Sequence, residues 1–170
     1  MSTSPKVAPF VYLNGPPGVG KQTVEARLVD NHLLIDLRKD MLDGIARSEN
    51  LSSLFVFTGS NNSKNPVSLR IIDDFLAAAA ERKAPFIFIL LECELEEHMG
   101  RATAVGRQPG PGKQGKWVNA EGLRKTALGG GWVDLEGKEG VHGLKLDTTG
   151  KTPVESAQMI VDIVQGITSA

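Results

Sequence analysis

The chain has 170 residues, of which 41% are hydrophobic and 23% charged, with a formal net charge of −1 at pH 7. That is the size and composition of one compact domain with a core of its own, and the near-neutral balance excludes the global field that draws in nucleic acid or an acidic membrane surface. No run approaches the ~20 apolar residues that span a bilayer, and the opening MSTSPKVAPFVYLNG lacks the long apolar centre of a signal peptide, so a cytoplasmic protein is expected.

Taken in chain order, five short apolar runs read as buried strands separated by helical stretches. The first, 7–13, shows little alternation, as a strand covered on both faces does. It runs into the glycine-rich GPPGVGKQT, which continues as a helix over 22–30. A second strand is read at 32–37, a helix at 38–48 and a third strand at 53–58. Asn65 then caps a helix with Pro66 in its first turn. Val67, Ile71, Phe75 and Ala79, four apart, are its expected buried face, and Arg82 and Lys83 suit its C-terminus. The fourth strand, 85–91, is again continuously apolar. Cys93, the single cysteine, follows it and reads as a small buried hydrophobe rather than a reactive thiol; with no partner for a disulfide, it fits a reducing compartment.

Residues 102–140 differ from the rest. They are rich in glycine, poor in aliphatics, and carry Arg107, Lys113, Lys116, Arg124 and Lys125. They read either as a solvated loop or as a basic cover over an anionic ligand. A fifth strand is read at 142–146. Thr152-Pro153-Val154-Glu155 then forms a capping box opening a last helix with Met159, Ile160, Ile163 and Val164 as its stripe. Alternating strands and helices without a repeat imply one domain, 1–170, built on a doubly wound parallel α/β sheet.

The most specific motif is Gly15-Pro16-Pro17-Gly18-Val19-Gly20-Lys21-Gln22-Thr23. Glycines let the backbone turn several N–H groups towards one anion, the following helix adds its positive end, and Lys21 supplies a mobile charge for the outer phosphates. Spacing, lysine and the strand-to-helix context agree with a phosphate loop. Gln22 departs from the pattern, because a hydroxyl that holds magnesium usually follows the lysine.

The loop resembles that of the adenylate-kinase type, and the order of LLIDLRKD, ECELEEHMGRATAVGR and KLDTTGKTPVE behind it is similar to shikimate, gluconate and chloramphenicol phosphotransferase-like kinases of the phosphate-loop superfamily. The resemblance implies a five-stranded sheet in the order 2-3-1-4-5, with ATP and Mg2+ as cofactors and residues 102–140 as a lid. Thr23 would match the family's threonine and hold magnesium largely through water, as magnesium in nucleotide sites keeps several waters. Asp36, at the end of the second strand, would serve as the base or orienter of an acceptor hydroxyl; a helix-capping role for it, and Asp40 one turn on, are the alternatives. His32 opens a strand and reads as structural. Arg101 and Arg107 would clamp the phosphates and spread transition-state charge, or else be solvated. Glu94, Glu96 and Glu97 read as a solvated helix face. Asp147-Thr148-Thr149-Gly150-Lys151 would edge the adenine base, with Thr149 and Lys151 against the nucleotide. Trp117 and Trp132 either stack on an acceptor or fold the lid onto the body.

The resemblance thus implies an ATP-dependent kinase whose partners are a nucleotide and a small-molecule acceptor, with no nucleic acid or membrane. A nucleotide-binding module without turnover, for which Gln22 speaks, and a simple NTPase are the rival readings.

Overall fold

The computed structural model of the chain describes residues 7–17, 19, 38–104 and 120–169. The helix and strand expected over 22–37, together with Gly18, Gly20, Lys21, Gln22, Thr23, His32 and Asp36, lie outside the described residues, as do Arg107, Lys113, Lys116 and Trp117.

Four parallel strands form one sheet among the described residues: β1 (Phe10–Asn14), β2 (Phe55–Thr58), β3 (Phe86–Glu92) and β4 (His142–Asp147), in the spatial order β2-β1-β3-β4. Phe10 stands level with Phe55 and Phe86, and Ile87 with His142. Five helices accompany them: α1 (Arg38–Ala46), α2 (Pro66–Arg82), α3 (Leu95–Thr103), α4 (Ala120–Leu128) and α5 (Pro153–Ser169). The order agrees with the expected one for the four strands that are described.

The period of two in a strand sorts side chains onto two faces, and here the faces differ in chemistry. Phe10, Tyr12, Phe57, Phe86 and Phe88 point to one side, where they pack with Leu42 of α1 and Ile72 and Phe75 of α2. Tyr12 stacks on Phe88 with ring centroids 5.7 Å apart and meets Phe75 edge-on at 4.9 Å. Val11, Leu13, Ile87, Ile89 and Leu91 point to the other side, against Ala157 and Ile160 of α5. Both central strands are therefore sealed on both faces, which is why their runs show no polar alternation.

The helix ends follow from their sequences. The Asn65 side chain accepts from the Val67 N–H at 2.9 Å, and Lys83 ends α2 in the left-handed region at φ 56°. At the start of α5, the Thr152 hydroxyl accepts from the Glu155 N–H, and the Glu155 carboxylate accepts from the Thr152 N–H at 2.7 Å. One expectation needs correction in part. The buried face of α2 is Ser68, Ile72, Phe75, Ala78, Ala79 and Arg82, while Val67 is 52% exposed. Each step of four overshoots a helical turn by about 40°, so the four-apart row cannot stay on one face: it starts exposed at Val67 and is buried at Phe75 and Ala79. Arg82 lies in the last turn of α2 as expected, and its guanidinium is buried and donates to the carbonyls of Ile45, Ser48 and Asn50, beneath the Phe55 ring at 5.3 Å. The expected stripe on α5 packs on the aliphatic cluster, with Ile160 fully buried and Met159, Ile163 and Val164 half-buried against it.

Candidate functional site

In an open parallel sheet, ligands settle at the carboxyl ends of the strands, at the crevice where the chain switches from building one side to building the other. With β2 on one flank of β1 and β3 on the other, that crevice lies between β1 and β3. A cleft of 460 Å³ opens there, lined by Pro16, the β3 end from Leu90 to Glu94, His98, Trp132, Asp147 and Thr149. The cleft and the start of the glycine loop coincide.

The loop leaves β1 under three constraints. Asn14 is fully buried; its Nδ2 donates to the carbonyls of Asn61 and Val133 at 3.1 and 3.0 Å, and its Oδ1 accepts from the Asn61 N–H at 2.8 Å. Asn61 in turn donates to the Tyr12 hydroxyl at 2.6 Å. Gly15 has φ 145°, and a Cβ there would stand 2.6 Å from the Leu91 carbonyl oxygen. Glycine is therefore required by contact as well as conformation. Beyond it, Nε2 of His98 on α3 lies 2.6 Å from the Pro17 carbonyl oxygen. A carbonyl has no proton to give, so Nε2 carries the hydrogen and donates. Val19 is buried in the aliphatic cluster.

The loop after β4 is organised from the other side. The Thr148 hydroxyl donates to the Glu92 carbonyl at 2.9 Å. Asp147 Oδ1 accepts from both the hydroxyl and the N–H of Thr149, which together draw its carboxyl below the ordinary aspartate range. The same Thr149 oxygen accepts from the Glu94 N–H at the start of α3. Gly150, at φ 69°, donates its N–H to Glu97 Oε2 at 2.8 Å. The guanidinium of Arg101 donates to the Thr148 hydroxyl at 3.0 Å, to the carbonyls of Thr148 and Lys151 at 2.7 and 3.0 Å, and to Glu97. Arg101 thus stands where expected in the chain, with its fork turned onto the 148–151 loop. Glu97 is not part of a solvated face; it joins Arg101 to Gly150. Cys93 is half-buried, packed against the aliphatic cluster and lining the cleft, and burial pushes its thiol up against the lowering pull of Arg101.

The span expected as a cover is not uniform. Its α4 packs Leu123 on Met99 and Ala102 of α3, while Arg124 pairs with Glu96 at 2.7 Å and Lys125 is exposed. Residues 129–135 belong to the body. Ser63 N–H donates to the Gly131 carbonyl at 2.6 Å, Val133 N–H to the Asn61 carbonyl at 2.9 Å, and Trp132 bridges Asn62. Val133 and Leu135 are buried on the aromatic face, with Trp132 half-buried beside them and lining the cleft. Lys145 of β4 pairs with Asp134 at 2.8 Å, which raises the lysine.

Of the expected site residues, the structure brings together Gly15, Pro16, Pro17, Val19, Arg101, Thr149 and Lys151; Asp40 lies on α1 with no described link to the cleft, and the rest lie outside the described residues. Asn14, Asn61, Glu97 and His98 were not found in the sequence as site residues. The signal for His98 was its place three residues before Arg101, on the same helical face. Among the described residues no group of three or more histidine, cysteine or acidic side chains is set to hold a metal, and no described helix is long and apolar enough to cross a membrane.

No protein-family model and no curated protein matches the chain. Solved structures do. A gluconokinase from Sinorhizobium meliloti 1021 is similar at TM-score 0.54 and 14% identity, over 97% of this chain and 96% of that one. The tunicamycin resistance protein of Deinococcus radiodurans is similar at TM-score 0.53 and 18% identity, over 92% and 95%. An uncharacterized protein from Eubacterium ventriosum ATCC 27560 is similar at TM-score 0.50 and 12% identity, over 93% and 98%. At these identities what is shared is the fold.

Proposed function

We propose that the chain is an ATP-dependent phosphotransferase that moves a γ-phosphoryl group to a small-molecule acceptor. The observation that carries the reading is the start of the glycine loop at the crevice between β1 and β3, tied down by Asn14 and His98 and admitting only glycine at 15. Phosphate loops are built so, on a buried strand and with a tight first turn. A gluconokinase among the structures of the same fold accords with it. The finer expectations keep their place in this reading: one domain, a fifth strand at 32–37, a cover drawn from about 102–140, a cytoplasmic setting, and no nucleic acid as partner.

Residues 15–20 would cradle the nucleotide's phosphates through their N–H groups, Lys21 and Arg107 would neutralise the outer oxygens, and Thr23 would hold magnesium through water. Bound ATP with magnesium would supply the phosphoryl group and a divalent charge. Asp36 would orient the acceptor hydroxyl. Arg101 takes a different part from the phosphate clamp of the resemblance: it shapes the 148–151 loop, whose backbone would read the base, with Thr149 and Lys151 at its edge. The described cleft wall beside that loop presents Glu92, Glu94 and Asp147, so the base and ribose rather than the phosphates would lie against it, anions being repelled there.

ADP release from ATP and magnesium, with a panel of nucleosides, nucleotides, sugars and aromatic alcohols, tests the reading. Stimulation by one acceptor, lost in Lys21→Ala and reduced at least about 100-fold in Asp36→Asn, is the expected result. ATP binding without turnover across the panel would favour the binding-only module, with Gln22 as its reason.

A further inference from the structure

We infer, resting on the nucleotide site proposed above, that His98 is a positioning residue for nucleotide phosphates and acts through the Pro17 peptide. His98 is 2% exposed, and its Nε2–H is spent on a loop carbonyl 81 positions away in sequence at 2.6 Å. A glycine-rich turn has many backbone states to choose from, and here one buried donor selects among them. The peptide unit is planar and trans, so fixing the direction of the Pro17 carbonyl also fixes the opposite direction of the N–H in that plane. A phosphate loop works through the direction of such N–H groups.

The same helix grips the other half of the site. One turn beyond His98, Arg101 and, with it, Glu97 hold Thr148, Gly150 and Lys151. α3 is therefore a splint between the phosphate loop and the loop after β4, and His98 is the pin at its phosphate end. Mere filling of space would not need a nitrogen at that ring position. Positioning does.

The variants His98→Gln, His98→Asn and His98→Phe separate these roles. Glutamine sets an amide N–H near the position of Nε2, asparagine sets one near Nδ1, and phenylalanine keeps the ring without a donor. Binding of ADP and of inorganic pyrophosphate to the full chain is measured by calorimetry, with thermal unfolding of each variant alongside. Expected are affinities for both probes about tenfold lower in the Asn and Phe variants, the scale of one hydrogen bond, and within about threefold of the parent in the Gln variant. If the Phe variant does not fold, the Gln and Asn pair carries the comparison. Equal binding by all variants, or affinity that follows thermal stability rather than donor position, overturns the inference and leaves the nucleotide site standing. Failure of the unaltered chain to bind either probe overturns the nucleotide reading itself, and the inference falls with it.

Discussion

Asn14 and Val133 stand 119 positions apart in the chain, yet the side-chain amide of the first donates to the carbonyl of the second at 3.0 Å, at the point where β1 gives way to the glycine loop. One buried amide thereby joins the central strand, the Asn61 turn and the segment after α4. Removing it leaves the Asn61 N–H and the Val133 carbonyl without this partner, while the Asn61 carbonyl keeps only the Val133 N–H. Asn14→Ala is expected to cost roughly 3 kcal/mol in urea unfolding. Asn14→Asp is expected to be no better, because a carboxylate would face the Asn61 and Val133 carbonyls in place of the donor.

Gly15→Ala tests the loop without touching its charges. The added Cβ would meet backbone, the Leu91 carbonyl at 2.6 Å, and the φ of 145° disfavours any side chain. Strain of about 1–3 kcal/mol is expected, with loss of nucleotide binding that exceeds the loss of stability. Unchanged ADP affinity would show that the turn is not part of the site.

Arg82→Lys keeps the charge and removes the fork. The carbonyls of Ile45, Ser48 and Asn50, which end α1 and the turn after it, lose their shared donor, and a point charge does not replace a planar one. A loss of about 2 kcal/mol is expected, together with faster amide exchange at the end of α1. Slow exchange there would place the stability of that turn elsewhere.

Asp147 gives the molecule an acid-sensitive contribution. The Thr149 hydroxyl and N–H depress its folded value below the ordinary 3.8. A depressed carboxylate stabilises the fold above its unfolded value, and the contribution fades as pH falls through the folded value. Asp147→Asn should therefore lower stability at neutral pH and converge with the parent in strong acid. A constant gap between the two denaturation curves at every pH would contradict this.

The strands β1 and β3 were legible as apolar runs because both faces of each are sealed, and the caps at Asn65 and Thr152 were legible because capping is settled within four residues. What failed was direction. The row Val67–Ile71–Phe75–Ala79 reaches the core at Phe75 and Ala79, but the overshoot of each step leaves Val67 at the surface, and Ser68 and Ile72 face the core at that end of the helix. Arg82 and Arg101 each carry the charge their positions suggest, and nothing local tells whether a long side chain ends in water, on carbonyls or on a ligand. The partners of Asn14 and His98 are set by topology, since the loop meets α3 only once β1 and β3 lie side by side.

Both ends of the chain's excursion beyond α3 are fastened: at one end Arg101 and His98 hold α3, and at the other Ser63, Asn61 and Asn14 hold residues 131–133. A loop with fixed ends pays for extra length only logarithmically, about 0.6 kcal/mol for each doubling. Added length between α3 and α4 should therefore cost the fold little, because Leu123 and Arg124 hold α4 on α3 and the strand, the glycine turn and their anchors lie outside the inserted length.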